Sequence, residues 1–469
     1  MLLLFLVYFI LAILIVLILI YFIYMNKIQF NFSVNIHSDL KDKESDKIKE
    51  QNSIKKNNSK LDGAELKEIE ENWNFCFESL KNVSRSFNIV IKQLDEETMK
   101  VVCIFYLVLR GLDTIEDDMS IPVEEKKQML LNFHNDIEND NYSLDSGDKP
   151  EYRNLMKNFY KVNRTYKKIH SKYRDVIKNI THEMAKGMVE FLDKPSMDTT
   201  EEYDSYCHYV AGLVGIGLSQ IFTLSGSEFN DLTKHDNLSN SMGLFLQKTN
   251  IIRDVKEDYH EKRYWWPKDI VSKHFSSMGD IFANRVGGEE EEEEEEDEIK
   301  ELTITTKHTD LLNEMIMNAL RHIPDSIEYL SLVKNNSNFK FCAIPQVVAV
   351  QTLVTLFYNP NVFKKTEKLN KTTLARIFMD TNDMNSILQF YIDAVEKIEK
   401  KIADNESLNN KQNRYVNELD KIKAFIMKYI IEHSKKPVTN ISLTKVKRSV
   451  ISTFISLFQK NVLYPLSNL

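Results

Sequence analysis

Two acidic clusters constrain what this chain can fold into more than any other feature of its sequence. The first acidic cluster spans Asp113–Asp118 and the second spans Asp254–Asp258, and an apolar segment precedes each of them. Side chains at positions i and i+4 lie on one face of a helix, so each cluster directs at least two carboxylates the same way. Carboxylates at the edge of a buried helix repel one another and lose hydration, and a divalent cation offsets both costs.

The clusters suit Mg²⁺ because this ion binds few protein carboxylates and keeps water or phosphate oxygens in its remaining coordination sites. Two facing clusters would hold a diphosphate through bridging ions. A single pair of this kind is more often a solvated helix face, but Arg110 and Arg253 stand beside the two clusters. A guanidinium suits phosphate, although it also forms simple ion pairs with carboxylates. The pattern therefore predicts a metal-dependent diphosphate site.

Glycine and proline are scarce, with 12 and 9 in 469 residues, which favours long helices over turn-rich β structure. Apolar residues recur at helical spacing from Leu66 to about Ser434, and the run Val101–Leu109 is typical of a buried central helix. We therefore expect an all-α fold with one large helical catalytic domain over residues 64–435. Polar segments predict surface loops at Asp136–Pro150 and Ser227–Asn240 and an acidic insertion at 287–298.

Charge and cysteine content narrow the functional classes. The net charge is −8, which argues against binding to nucleic acid. Much of this charge falls in ten consecutive acids, Glu289–Glu298, which are typical of a solvated insertion. The four cysteines show no CxxC spacing, so we expect buried, reduced thiols in a reducing compartment.

The N-terminal segment Leu2–Tyr24 contains 23 residues and no charge. At about 1.5 Å per residue it can cross roughly 30 Å of hydrocarbon. No basic region precedes it and no small-residue cleavage site follows it, which argues against a cleaved signal peptide. We therefore predict a transmembrane helix in an anchor over residues 1–25 and a flexible polar tether over residues 26–63. Lysines follow the anchor, and the positive-inside bias places the remaining chain in the cytosol.

The C-terminal tail, residues 436–469, contains the apolar stretch Val450–Gln459, which is too short to span a bilayer. Several apolar residues of this stretch share a helical face, and basic residues precede it. The pattern fits an interfacial helix and a packed core helix equally well.

Three glycines, Gly212, Gly215 and Gly217, interrupt an otherwise apolar helical pattern. Glycine costs about 1 kcal/mol relative to alanine within a helix. Such a group indicates either close helix packing or room for a ligand chain, and the sequence alone favours neither.

Long motifs around these features make the chain resemble squalene synthases. The motifs are Ser84–Phe87, Cys103–Arg110, Leu112–Asp118, Tyr206–Gly215, Ser241–Asp254 and Phe339–Gln346. They lie within roughly Asn72–Ile402. The resemblance implies an isoprenoid-synthase-type helical domain with one large central cavity. It also implies the Mg²⁺-dependent head-to-head condensation of two farnesyl diphosphates through presqualene diphosphate, followed by NADPH-dependent reduction to squalene.

The resemblance assigns roles to the residues at matching positions. The implied Mg²⁺ ligands are Asp113, Glu116, Asp117, Asp254 and Asp258. The residues implied to bind the diphosphates or metal-bound water are Arg85, Ser86, Arg110, Gln247, Asn250 and Arg253. The aromatic residues implied to shield carbocations are Phe87, Phe339 and Phe341. A cation over a ring face gains about 2 kcal/mol when it is desolvated.

Tyr206 matches the tyrosine that squalene synthases use near cyclopropane formation, in the removal of a proton. A neutral phenol is a poor base because its pKa is about 10, so a nearby diphosphate is the alternative proton acceptor. We expect His208 to serve as a structural hydrogen-bond donor.

The binding site for the reductant is the least defined part of the predicted site. No glycine-rich motif follows a strand, so a Rossmann domain is not expected. Lys368 and Lys371 match a basic segment that the resemblance assigns to the phosphates of NADPH, with NADH as the alternative reductant. Asn370 stands where squalene synthases tend to have another basic residue.

We also expect a monomer in the endoplasmic reticulum membrane, in contact with lipid, with its catalytic domain in the cytosol. Squalene synthases commonly carry a membrane helix at the C-terminus, whereas the clear anchor of this chain is N-terminal. Two alternatives stay open. One is a non-reducing phytoene or dehydrosqualene synthase, which would lack the segment Phe341–Pro345. The other is a non-catalytic helical scaffold, against which the two intact acidic clusters argue.

Overall fold

The computed structural model describes residues 63–194, 196–283, 302–405 and 412–433. The backbone of Arg85, Ser86, Gln412 and Asn413 is described, but their side chains are not. The predicted transmembrane anchor, the tether up to residue 62, the acidic insertion and the C-terminal tail lie outside the described residues. Those described up to Glu78 belong to one compact unit, and those from Ser79 onward belong to a second unit, which contains the candidate site.

Helices dominate the described residues. In chain order they are α1 (Gly63–Val83), α2 (Arg85–Ile91), α3 (Glu96–Asp117), α4 (Val123–Asp136), α5 (Pro150–Lys157), α6 (Phe159–Tyr166), α7 (Ser171–Leu192), α8 (Thr200–Cys207), α9 (Leu213–Ser225), α10 (Asp236–Arg253), α11 (Val255–His260), α12 (Lys268–Val271), α13 (Met278–Phe282), α14 (Thr306–Leu320), α15 (Ile323–Leu332), α16 (Asn336–Leu356), α17 (Lys371–Asp380), α18 (Met384–Ala403) and α19 (Gln412–His433). A π-helical turn, His208–Gly212, joins α8 to α9, and 3₁₀ turns form at Leu232–His235 and Pro360–Phe363. In the part of the chain that the structure describes, β pairing is limited to an isolated bridge between Ser196 and Tyr264. The all-α prediction is confirmed.

Helices α3 and α10 lie at the centre of the second unit. The predicted buried run Val101–Leu109 lies in α3, and all of it is buried except the half-buried Tyr106. Helix α3 packs against α4, α6, α7 and α9, and α10 packs against α9, α14, α15, α16 and the π-helical turn. Both acidic clusters therefore adjoin helices of the packed core.

The first acidic cluster lies at the C-terminal end of α3, and the second begins at the junction of α10 and α11, with Asp258 in the first turn of α11. Helix α3 ends at Asp117, and α10 ends at Arg253, immediately before Asp254. A helix dipole places about −0.5 elementary charge at the C-terminus. Carboxylates at this end are disfavoured unless a cation lies nearby, so the fold creates a demand for positive charge at the site.

The three glycines of the apolar segment serve close packing. A Cβ atom added to Gly215 would lie 2.3 Å from a backbone carbonyl oxygen of α10. In the reverse direction, a Cβ atom at Gly243 of α10 would lie 2.3 Å from a carbonyl oxygen of the π-helical turn. Gly212 and Gly217 are crowded by neighbouring side chains. The structure therefore favours helix packing over room for a ligand chain at these positions.

Two predicted boundaries are wrong. Helix α10 begins at Asp236, inside the predicted loop Ser227–Asn240, because an acidic residue in the first turn stabilises a helix start. The helix expected to carry the second acidic cluster is interrupted at Asp254, whose φ of −99° and ψ of 12° lie outside the helical region. The backbone hydrogen bonds continue through this break, and the N–H of Asp258 donates to the carbonyl of Asp254 at 3.0 Å. The two aspartates therefore stay one turn apart.

Two described segments, Thr200–Ser225 and Asn336–Leu356, are long and apolar enough to cross a membrane by length and composition alone. The most apolar stretch of Thr200–Ser225 is 39% buried, and that of Asn336–Leu356 is 72% buried. Both pack against α10, as core helices do.

Candidate functional site

Arg263 links the two acidic clusters. Its Nη1 atom lies 2.5 Å from Oδ1 of Asp117, and its Nη2 atom lies 3.3 Å from Oδ1 of Asp258. Arg263 also pairs with Glu261. The structure thus brings together two clusters that are far apart in the sequence, as the diphosphate hypothesis requires. Sequence reasoning missed Arg263, whose signal is a basic side chain five positions after Asp258.

Burial raises the pKa of several cluster carboxyl groups. The pKa of Asp113 is raised to about 6 by burial, against the opposing effect of Arg110 and with a further rise from Asp117. Burial raises the pKa of Glu116 to about 8, and the two neighbouring carboxylates add to the rise. Burial likewise raises the pKa of Asp258 to about 7, although the bound guanidinium opposes this. These carboxyl groups therefore retain part of their protons near neutral pH.

The donor set fits Mg²⁺ bound together with a phosphate. Among the described residues, no three or more His, Cys, Asp or Glu side chains are arranged to hold a metal ion by themselves. Each cluster instead offers paired carboxylates, Asp113 with Asp117 and Asp254 with Asp258. Mg²⁺ is usually bound through one or two carboxylates and completes its shell with water and phosphate oxygens. The guanidinium that already lies between the clusters shows that positive charge is accepted there.

Two arginines lie beside cluster carboxylates. Nη1 of Arg110 lies 3.4 Å from Oδ2 of Asp113, and its buried Nε has no hydrogen-bond partner in the described part of the chain. Arg253 holds Asp254 at both carboxylate oxygens, with 2.8 Å from Nε and 2.5 Å from Nη2. The unpaired N–H of Arg110 is therefore a donor that an anionic ligand can use.

The remaining predicted diphosphate residues are less constrained. Gln247 is half-buried and Asn250 is exposed on α10. Neither side chain forms a hydrogen bond within the described ranges, so both amides are available to a ligand or to water. The side chains of Arg85 and Ser86 lie outside the described set, although their backbone begins α2.

An apolar cavity of about 130 Å³ adjoins the first cluster. Its lining residues are Phe87, Ile91, Val102, Phe105, Tyr106, Leu109, Arg110, Asp113, Met184, Val210, Val214, Leu218 and Phe341. Apolar walls with Arg110 and Asp113 as the charged lining residues suit a ligand with an apolar chain and an anionic head. The cavity is smaller than the roughly 300–1,000 Å³ typical of small-molecule sites, so a long chain can enter only when lining side chains rotate.

The three predicted phenylalanines occupy different positions. Phe341 lines the cavity and packs edge-on against Phe222, with 5.8 Å between ring centroids. Phe87 also lines the cavity, and it is 38% exposed and contacts Tyr106. Phe339 is buried but is not a lining residue. It lies two positions from Phe341, and residues two apart do not share a helix face.

Tyr206 is buried in an aromatic stack close to the first cluster. Its ring lies parallel to that of Trp265, with 4.2 Å between centroids, and edge-on to Phe191 at 5.4 Å. Burial raises the pKa of the Tyr206 phenol well above its usual range, and the carboxylates of Glu116 and Asp117 raise it further. Tyr206 is therefore a neutral phenol near neutral pH.

The π-helical turn that follows Tyr206 shapes the cavity wall. Nδ1 of His208 lies 2.7 Å from Oδ1 of Asn240, which ties the turn to α10. The predicted structural role of His208 is confirmed. Val210, within the turn, and Val214, in the first turn of α9, both line the cavity. Turns of this kind are frequent at functional sites.

The predicted cofactor residues are separated in the structure. Lys368 lines a second cavity of about 320 Å³, whereas Lys371 begins α17 and does not line it. Oδ1 of Asn370 accepts a hydrogen bond from the N–H of Thr373 at 2.8 Å and caps this helix. Asn370 therefore has a structural role in place of a basic contact.

The sequence model of the squalene/phytoene synthase family matches residues 80–373, which is more than half of the chain. The chain belongs to the squalene/phytoene synthase family. This match includes both acidic clusters, Arg263, Tyr206 and the paired phenylalanines of α16.

Several members of this family are close in sequence and length. The chain is 40% identical over 341 residues to squalene synthase 1 of Arabidopsis thaliana, which covers 72% of this chain and 78% of that protein. It is 41% identical over 343 residues to the squalene synthase of Homo sapiens, which covers 73% of this chain and 77% of that protein. A solved complex of TcSQS with the ligand BPH1237 is 37% identical, covers 76% of this chain and 99% of that one, and superposes with a TM-score of 0.69.

Proposed function

We propose that the chain acts as a squalene synthase. It joins two farnesyl diphosphates head to head through presqualene diphosphate and reduces this intermediate to squalene with NADPH, or with NADH as the alternative. The observation that carries the proposal is the apolar cavity beside Asp113, with the first cluster linked through Arg263 to the second. Relatives with about 40% identity are named squalene synthases, which supports this function over a non-reducing synthase.

The two acidic clusters receive the diphosphates. Mg²⁺ held by Asp113, Glu116, Asp117, Asp254 and Asp258 would offset the negative charge that develops as each diphosphate leaves. The unpaired N–H of Arg110 donates to a phosphate oxygen beside the cavity. Arg253, Gln247 and Asn250 supply donors along α10, and Arg85 and Ser86 supply them from the start of α2.

The cavity wall protects the reactive carbocations from water. Phe341 presents its ring to the cavity from a buried position, and Phe87 covers the wall near solvent. A ring face attracts a desolvated cation by about 2 kcal/mol. Phe339 is buried on another face of α16 and does not line the cavity.

Tyr206 positions the group that loses a proton, and a diphosphate oxygen accepts that proton. The raised pKa of the phenol makes a phenolate base unfavourable near neutral pH. Trp265 holds the phenol ring in place through the parallel stack.

The reductant binds at a basic segment of the chain, and the protein is attached to a membrane. Lys368 and Lys371 contact the cofactor phosphates, and the product enters lipid. The catalytic domain is a monomer that faces the cytosol from the endoplasmic reticulum membrane, to which residues 1–25 anchor it.

The full chain in detergent, with farnesyl diphosphate and Mg²⁺, tests the proposal directly. Without a reductant the product should be presqualene diphosphate, and with NADPH it should be squalene, both identified by mass spectrometry. The Asp113→Asn variant is the inactive control. A dehydrogenated C30 product with or without NADPH would instead support the non-reducing synthase, and no product at all would support the scaffold.

A further inference from the structure

The second cavity lies between the C-terminal part of α16 and helices α17 and α18. Lys368, Arg376 and Lys397 bring three positive charges to its wall, and Asp393 brings one carboxylate. Apolar side chains, among them Phe390, complete the lining. A wall with excess positive charge and an apolar part suits a phosphorylated ring compound.

The protein leaves most of this positive charge uncompensated. Nε of Arg376 lies 3.2 Å from Asp380 in an exposed pair, and such pairs contribute little. Lys368 and Lys397 form no ion pair with any carboxylate among the residues the structure describes. Asp393 accepts a hydrogen bond from Gln389 at 2.6 Å, so one of its carboxylate oxygens already has a partner. The cavity therefore attracts an anion.

Gln351 gives an independent indication of a ligand. It lines the cavity and is 8% exposed, and its Nε2 amide has no hydrogen-bond partner in the described part of the chain. An unpaired buried donor destabilises the folded state. An acceptor oxygen of a molecule in the cavity would remove this cost.

Helix α16 contributes to both cavities. Phe341 lines the first cavity and Gln351 lines the second. Ten residues of helix separate them, which corresponds to about 15 Å at 1.5 Å per residue. A dinucleotide consists of two nucleosides joined by a diphosphate, so its two rings need not occupy the same cavity.

We propose that the second cavity binds the phosphorylated ribose of the reducing dinucleotide, and that Arg376 and Lys397 select the cofactor with a 2′-phosphate. This assignment rests on the proposed reductive function. The guanidinium and the ammonium pair with the phosphate, Gln351 donates to an oxygen of the ligand, and Asp393 accepts from a ribose hydroxyl. These side chains provide the contact that Asn370, engaged as a helix cap, does not make.

Calorimetric titration of the full chain in detergent with adenosine 2′,5′-bisphosphate and with AMP tests this selection. The wild type should bind the bisphosphate at least about tenfold more tightly than AMP, since a charged hydrogen bond contributes about 1.5–3 kcal/mol. Lys397→Ala and Arg376→Ala should each weaken bisphosphate binding roughly tenfold and change AMP binding less than about twofold. Lys400→Ala removes an exposed lysine of the same helix that does not line the cavity, and it should match the wild type. Equal affinity of the wild type for the two nucleotides would overturn the proposal.

Enzyme assays separate this proposal from the proposed function. In Lys397→Ala, the KM for NADPH should rise about tenfold while the KM for NADH stays within about twofold, and presqualene diphosphate formation without a reductant should be unchanged. Equal losses with NADPH and NADH would reject the 2′-phosphate assignment. If the wild type makes no squalene with either reductant, the proposed function fails, and the titration still decides whether the cavity selects the 2′-phosphate.

Discussion

The guanidinium of Arg263 lies 2.5 Å from the carboxylate of Asp117, although the two residues belong to opposite halves of the site. Asp117 ends α3, and Arg263 follows the second cluster, with its other nitrogen 3.3 Å from Asp258. The C-terminal end of α3 and several carboxylates concentrate negative charge at this point. A single protein cation therefore occupies a position that a diphosphate with its metal ions would also use.

Arg263→Gln should lower turnover at least about tenfold, because the charge that orders the two clusters is lost. It should also lower the melting temperature in the absence of divalent ions, and added Mg²⁺ should restore most of this loss because a ligand of the folded state stabilises it. Assays and thermal melts over a Mg²⁺ series measure both effects. Arg153→Gln removes an exposed arginine 3.5 Å from Asp145 and should match the wild type. If Mg²⁺ does not raise the melting temperature of Arg263→Gln, the cation does not bind between the clusters.

Substitutions of the two nearby aspartates Asp113 and Asp118 should have opposite effects on turnover and on stability. Asp113→Asn should reduce turnover more than about a hundredfold, as expected for lost electrostatic stabilisation of the leaving group. Its melting temperature should stay near that of the wild type, since burial already disfavours the ionised form of Asp113. Asp254→Asn should show the same loss of activity.

Asp118→Asn should show the reverse pattern. Asp118 accepts hydrogen bonds from Ser120 and Ser146 at 2.6 and 2.7 Å, and from the N–H of Gly147 at 3.1 Å. Breaking this network should cost about 1–3 kcal/mol of unfolding free energy while presqualene diphosphate formation continues at permissive temperature. Circular dichroism melts and product assays on the same preparations compare the variants. Full activity of Asp113→Asn would remove the first cluster from the mechanism.

The sequence predicts the helical fold and the paired carboxylates within each cluster because both follow from local spacing. Helical periodicity, scarce glycine and carboxylates one turn apart are properties of neighbouring residues. The contact between Arg263 and Asp117 joins residues 146 positions apart, so no local pattern indicates it. The unpaired amide of Gln351 is likewise a consequence of tertiary packing, and in the sequence it reads as one polar residue within an apolar helix.

Phe339 and Phe341 show a second limit of sequence reasoning. Both match one motif, and both are almost equally buried, at 6% and 5% exposure. Their two-residue spacing nevertheless sends the side chains to different faces of α16, and only the described packing shows that Phe341 faces the cavity. A shared motif therefore does not imply a shared role.

Matched alanine substitutions of these two residues should reveal the difference. Each should cost about 3–5 kcal/mol of stability, as expected for a buried phenylalanine. Phe341→Ala should still form presqualene diphosphate but yield little squalene, because the second carbocation loses its aromatic neighbour. Phe339→Ala should keep the wild-type ratio of the two products. Mass spectrometry of both products at a temperature where the variants are folded measures the ratio, and an identical ratio in the two variants would assign Phe341 to packing alone.

The buried contact between His322 and Ser241 predicts how stability depends on pH. The Ser241 hydroxyl donates to Asp325 at 2.6 Å, so the 2.7 Å contact with His322 requires Nδ1 of the imidazole to be the donor. Nε2 is then a buried acceptor without a partner among the described residues. Burial, with the charges of Lys248 and Arg321, lowers the pKa of His322 to about 2. The folded state therefore keeps this ring neutral.

The sign of the pH effect follows from this neutral ring. Above about pH 6.5 the ring is neutral in both states and adds no pH dependence. Below that value the unfolded chain binds a proton that the folded chain excludes, so the free energy of unfolding should fall by about 1.4 kcal/mol per pH unit. Denaturant melts between pH 7 and 5 measure the slope. His322→Gln should reduce this slope by the contribution of about one proton. Equal slopes in the wild type and His322→Gln would show that the imidazole binds a proton in the folded protein, and that the contact between α10 and α15 does not depend on its neutral form.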